Sequence, residues 1–164
     1  MKPSELLGIP YSFAAGPREE VDLSRPPAEA NCQLLMQLAT GVLFGLKELP
    51  PQAFLSAEGY LGLFGPTQEI DRISKLEPGT IVYAWNRHKL VGGDRWLQLV
   101  HQMMHLGETE SDFVRKNFGE TTNDLPPRVR LFLHTSNGGI SYSRLTSEQE
   151  LQSYLFLRAR TLDH

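Results

Sequence analysis

Asn31-Cys32-Gln33-Leu34-Leu35-Met36-Gln37-Leu38-Ala39-Thr40-Gly41-Val42-Leu43-Phe44-Gly45 is the stretch on which the fold class turns. Leu35, Leu38, Ala39 and Val42 recur at i, i+3, i+4 and i+7, the stripe of an amphipathic helix. Pro26 and Pro27 precede it, Asn31 can accept from an unpaired first-turn N–H, and Gly45 can adopt the left-handed cap that ends a helix. A second, shorter helix is expected over 52–63, stopped by Gly65 and Pro66. Beyond the Glu77-Pro78-Gly79 turn, Thr80 to Trp85 is rich in β-branched and aromatic residues and reads as a strand. Trp96 to Leu106, Val129 to His134 and Ile140 to Ser143 read likewise, with Asn137-Gly138-Gly139 as a hairpin turn between the last two. Thr146 to Tyr154 reads as a short capped helix and Leu155 to Leu162 as a closing strand. Helix first and antiparallel strands after predict an α+β domain, a helix packed on one sheet, spanning residues 1–164 as a single unit.

Composition narrows the function classes. The chain has 164 residues, 40% of them hydrophobic, enough to bury a core and too many for a disordered chain. Its formal net charge of -3 offers no overall field toward nucleic acid or an anionic membrane. No apolar run reaches the roughly 18 residues needed to span a bilayer. MKPSELLGIPYSF, with Glu5 and two prolines, does not read as a secretory signal, so a cytoplasmic location is the expectation. Residues 16–27 are rich in charge and proline and read as an exposed loop.

The only cysteine, Cys32, excludes an intrachain disulfide and a multi-cysteine zinc site. It falls in the first turn of the expected helix, where unpaired N–H groups and the helix dipole favour an anion such as a thiolate. Helix N-termini and neighbouring imidazoles lower cysteine pKa values and turn a thiol into a nucleophile. On position alone, a small buried core residue is the commoner role for such a cysteine. A cysteine nucleophile also needs an imidazole as general base and a second polar group to orient that imidazole. His101 and His134 each sit in an apolar, strand-like segment. If those strands are neighbours, both imidazoles can line up opposite the helix start; if not, each is a satisfied polar residue of the sheet.

A second arrangement uses the same residue. His101-Gln102-Met103-Met104-His105 has the two-histidine spacing of the zincin helix, but Gln102 stands where the catalytic glutamate belongs and cannot act as a base. The segment fits a strand (Leu97, Leu99, His101, Met103) as well as a helix. Gly92-Gly93-Asp94 and Gly138-Gly139 lack the Lys and Ser/Thr of a phosphate loop and read as turns. Trp85, Trp96 and Tyr83 read as core aromatics.

Four separated segments together resemble the NlpC-type cell-wall peptidases, a papain-like superfamily of cysteine hydrolases. Asn31-Cys32 and the apolar helix that follows, with its Leu49-Pro50 exit, is similar to the family's Asp-Cys-Ser-Gly nucleophile helix. Leu76-Glu77-Pro78-Gly79-Thr80-Ile81-Val82 resembles Leu-x-Pro-Gly-Asp-Leu-Val. His101-Gln-Met-Met-His-Leu-Gly107 resembles His-Val-Gly-Ile-Tyr-Leu-Gly, with His105 at the tyrosine position. Phe132-Leu133-His134-Thr135-Ser136 resembles Phe-Ile-His-Ala-Ser. Gly8-Ile9-Pro10-Tyr11 is similar to the family's Gly-x-Pro-Tyr, and Leu155 to Leu162 to its last strand.

The resemblance implies an α+β papain-like core and a cysteine peptidase or amidase with Cys32 as nucleophile, His101 as base and His134 as the orienting third residue. Tyr11, Asn31 and Gln33 would contact substrate. The implied partner is a peptide or amide, peptidoglycan fragments with a γ-D-glutamyl-diaminoacyl bond foremost, with no cofactor and no metal. Two departures touch specificity: Asn31 replaces the aspartate and Gln33 the serine that flank the family's cysteine, so a carboxylate that would pair with a free peptide amine is gone. A binding domain that keeps the fold without the activity is therefore the alternative. Between the histidine segments, the insert from Glu108 to Pro127 carries five acidic residues and is expected to be a solvated loop, or else a cover for a cleft.

Overall fold

A computed structural model describes residues 1–46, 50–54, 68–69, 72–86, 101–135, 142–152 and 154–160. Helix α1 runs Cys32–Phe44. Asn31 caps it by accepting from the Leu34 N–H at 2.9 Å, and Gly45, at φ 71°, closes it in the left-handed region. Leu34, Leu35, Leu38 and Ala39 are buried along its length. Truncating a side chain as enclosed as Leu35 is expected to cost about 2–5 kcal/mol.

Six strands form one sheet: β1 (Gln68–Glu69), β2 (Ile81–Asn86), β3 (His101–Glu108), β4 (Arg130–His134), β5 (Arg144–Ser147) and β6 (Tyr154–Arg160), in the order β1-β6-β2-β3-β4-β5. Every pairing is antiparallel. The sheet buries both faces. On one, Ile81, Tyr83, Met104, Leu106, Leu131 and Leu133 pack with the α1 residues. On the other, Val82, Ala84, Met103 and Phe132 pack with Leu151, Ile73, Leu76 and Tyr154. The alternation along β2, β3 and β4 follows from the two-residue period of a strand. Tyr83 is core, as its strand context predicts.

The Gly79 turn is shaped by packing. Its φ of +92° belongs to glycine, and a β-carbon there would fall 2.2 Å from the Phe44 ring. Phe44 in turn stacks on Phe113 at 5.5 Å, joining α1 to a second helix, α2 (Asp112–Phe118).

Helix α2 corrects the expectation that 108–127 is a solvated loop. Ser111 accepts from the Val114 N–H at 3.4 Å, and Val114 and Phe118 are buried, so the insert carries its own small apolar face. A 3-10 turn, Gly119–Thr122, follows it. Two further expectations move. Of the strand placed at 140–143, residues 140 and 141 lie outside the described residues, and the described strand runs Arg144–Ser147, where Leu145 and Thr146 pair with Leu133 and Phe132. Tyr142 instead makes one isolated bridge to Pro10. The helix expected over 146–154 contracts to a 3-10 turn, Glu148–Leu151, started by a Ser147–Glu150 capping box. Of the helix expected at 52–63, only the 3-10 turn Pro51–Phe54 is described. The remainder of that helix, the Asn137 turn, Gly92-Gly93, Trp96 and the Trp85 side chain lie outside the described residues. Among the described residues no helix is long and apolar enough to cross a membrane.

Candidate active site

Strand β3 lies beside β4, with Met104 opposite Leu133 and His105 opposite Phe132. His101 opens β3 and His134 closes β4, so antiparallel pairing carries both to the same end of the sheet. Their side chains share the face of Met103 and Phe132, by the same two-residue alternation. His101 Nε2 lies 2.7 Å from His134 Nδ1, and the rings meet edge to face at 5.0 Å and 85°. The two imidazoles of the predicted triad are thus joined by one hydrogen bond.

The two rings differ in environment. His134 is 3% exposed, and desolvation, helped by the positive charge of Arg144, lowers its pKa to about 4. It is neutral at physiological pH. Which of the two nitrogens donates depends on the tautomer; with the His134 proton on Nε2, its Nδ1 accepts from His101 Nε2–H. His101 itself is only half-buried.

Cys32 begins α1 and reaches the sheet at the same end. The backbone N–H groups of Gln102, Cys32 and Gln33 point to its sulfur and favour the thiolate. Contact with the Gln102 amide brings the sulfur next to the residue that follows His101. Cys32 as a residue keeps partial exposure, yet its thiol is desolvated, and burial pushes its pKa up ahead of those N–H groups. The sequence expectation that the helix start and neighbouring imidazoles lower it is not met: the helix start packs against β3, and loss of water outweighs the local dipoles.

Tyr11 is held nearby by the chain entering the helix. It bridges Ala30 in parallel, Ala30 N–H donates to Pro10 O at 2.9 Å and Asn31 N–H to Ala15 O at 2.8 Å. Its hydroxyl pKa is raised by burial and then by the Cys32 charge, so the phenol and the thiol share one electrostatic environment. Both polar atoms of the Asn31 side chain have protein partners: Oδ1 caps α1, and Nδ2 donates to Phe13 O at 3.2 Å. Gln33 is half-buried in the first turn.

The zincin arrangement does not form. Because β3 is a strand, His101 and His105 stand about 13 Å apart along it, too far to share one ion. His105 Nδ1 faces Glu77 O at 3.4 Å, and Gln102 Nε2 donates to Phe54 O at 2.5 Å. Among the described residues no group of three or more His, Cys, Asp or Glu converges on a metal position.

One neighbour of the pair carried no signal in the sequence. Tyr154, at the start of β6, stacks on His101 with centroids 5.4 Å apart and planes inclined by 26°, and meets His134 edge-on at 6.3 Å.

No protein-family model matches the chain, and no curated protein matches it. Among solved structures it is similar to one described as NlpC1 from Trichomonas vaginalis, with a TM-score of 0.52 and 18% identity over 98% of this chain and 42% of that one. The chain therefore spans less than half the length of the structure it resembles. What the likeness establishes is the fold: an α+β architecture of the NlpC-like, papain type, with the cysteine helix packed against an antiparallel sheet.

Proposed function

We propose that the chain is a cysteine hydrolase, a peptidase or amidase, in which Cys32 attacks the carbonyl carbon of an amide. The observation that carries this reading is the 2.7 Å contact between His101 Nε2 and His134 Nδ1, formed at the end of the sheet that the Cys32 sulfur reaches through the Gln102 N–H. His101 Nδ1 takes the thiol proton as the sulfur–carbon bond forms, and the imidazolium donates from Nε2 to His134 Nδ1. The same proton passes to the leaving amine as the carbon–nitrogen bond breaks. Water, deprotonated by His101, then cleaves the thioester and restores the thiol. Negative charge on the carbonyl oxygen is met by N–H groups at the start of α1 and by the Tyr11 hydroxyl, a type of contact worth about 2.7 to 4 kcal/mol where it has been measured.

The substrate class follows from the resemblance: peptides with a γ-D-glutamyl-diaminoacyl bond. Asn31, neutral and already bonded to Leu34 N–H and Phe13 O, supplies no carboxylate for a free amine, so substrates blocked at the amino end fit better than free ones. Gln33 is the second position for substrate contact. The desolvated thiol favours one other reading, a binding domain with an inert cysteine. Incubation with N-acylated and free γ-D-glutamyl-diaminopimelyl peptides separates the two. The hydrolase releases the diamino acid, faster from the acylated peptide, and Cys32→Ala abolishes release; binding of the peptide without cleavage supports the alternative.

A further inference from the structure

We infer that Tyr154 is a positioning residue for the His101 imidazole, its ring covering one face of that imidazole while His134 holds its edge. This rests on the reading of His101 as the base.

Three strands bring the rings together. Ala84 on β2 lies opposite His101 on one side and Phe156 of β6 on the other, while Tyr154 lies opposite Asn86, two residues along. Neighbouring strands are about 4.8 Å apart, so His101 and Tyr154 start two strands and a diagonal apart. They meet at 5.4 Å because Ala84, buried between them with only a methyl group, leaves the space above β2 open. A larger residue at that point would separate them.

The stacking geometry has a chemical consequence. An aromatic face within about 6 Å of a cation attracts it, so the Tyr154 ring favours the imidazolium over the neutral ring. Proton transfer from Cys32 makes that imidazolium. The hydrogen bond to His134 holds the imidazole at one nitrogen. A ring stacked over its face, 26° from parallel, limits rotation about that bond and keeps Nδ1 in one direction. Titratable groups that face His101 include His134 on β4 and Tyr154 on β6. Arg144 on β5 acts on His134.

Alkylation of Cys32 by iodoacetamide, followed from pH 6 to 10, tests the assignment. Tyr154→Leu should slow alkylation about fivefold at pH 6.5 and less than twofold at pH 9.5, where hydroxide can take the thiol proton in place of the base. Tyr154→Phe, which keeps the ring, should stay within twofold throughout. Equal losses in both variants, a loss of the same size at every pH, or no loss in Tyr154→Leu would overturn the proposal. If Tyr154→Leu does not fold, the wild-type protein decides. The His101 ring protons, assigned by their disappearance in His101→Gln, should be displaced upfield by the Tyr154 ring current; signals at the ordinary imidazole position overturn it. The His101→Ala control separates this idea from the one beneath it. Insensitivity of alkylation to His101→Ala defeats the hydrolase reading, whereas sensitivity to His101→Ala without sensitivity to Tyr154→Leu defeats only the role of Tyr154.

Discussion

His101 Nε2 and His134 Nδ1 lie 2.7 Å apart, a half-buried imidazole bonded to a buried neighbour whose pKa is lowered to about 4. The buried ring is neutral near pH 7, and in the proposed mechanism it orients its half-buried neighbour.

Burial of His134 makes the protein sensitive to acid. The unfolded chain protonates this histidine near pH 6.5, while the folded chain resists to about pH 4, so between those values the unfolded state binds more protons and stability falls as the pH falls. The penalty saturates below pH 4 at about 3–4 kcal/mol. His105, whose pKa burial also lowers, adds in the same direction. Urea midpoints at pH 7, 5.5 and 4.5 should decline in the wild type and decline less in His134→Gln. Identical slopes for the two proteins would remove His134 as a source of the effect.

Asn31→Ala deletes the α1 cap and the bond to Phe13 O together. Loss of such a cap costs about 1 kcal/mol, which for a chain of this size lowers Tm by about 2–4 °C. Differential scanning calorimetry reads it; an unchanged Tm would mean that solvent replaces the cap without cost.

How much of this was legible in the sequence depended on the range of the interaction. Helix α1 was, because its stripe, the Asn31 cap and Gly45 are local features. Strands β2 and β4 were legible within a residue from β-branched and aromatic runs. The meeting of His101 and His134 was not a local property: it rests on the register of β3 with β4, which shifts between His105 and Gly107, and the motif resemblance anticipated it where periodicity was silent. Tyr154 was invisible for the same reason, since β6 docks on β2 from far along the chain. The α2 signal was present in Ser111 followed by Phe113, Val114 and Phe118, but acidic neighbours masked it. The raised thiol pKa was out of reach, because desolvation of Cys32 depends on β3, whose nearest residue is about seventy positions away.

Gly79→Ala tests the packing that joins α1 to the sheet. Glycine's positive φ and the Phe44 ring 2.2 Å from a β-carbon combine strain with a clash, and a loss of about 2 kcal/mol or more is expected. Gly79→Ala with Phe44→Leu should recover part of it in chemical denaturation. No recovery would place the whole cost in the backbone.

Gln102→Met removes a buried donor from Phe54 O without changing side-chain volume much. Loss of one hydrogen bond costs about 1 kcal/mol net, so the urea midpoint should fall while the slope of the transition stays constant. A variant as stable as the wild type would show that this bond adds nothing net, its loss being offset by removal of the buried Gln102 Oε1.

The central claim is that His101 takes the proton of Cys32. Because burial raises the thiol pKa, a cysteine without a base should be slow near neutrality, and its alkylation should rise only as the solution becomes alkaline. The direct measurement is the iodoacetamide rate at pH 7 and pH 10 in the wild type and in His101→Ala. The account predicts a loss of more than tenfold at pH 7 that largely disappears at pH 10. Equal rates for the two proteins at pH 7 would contradict it.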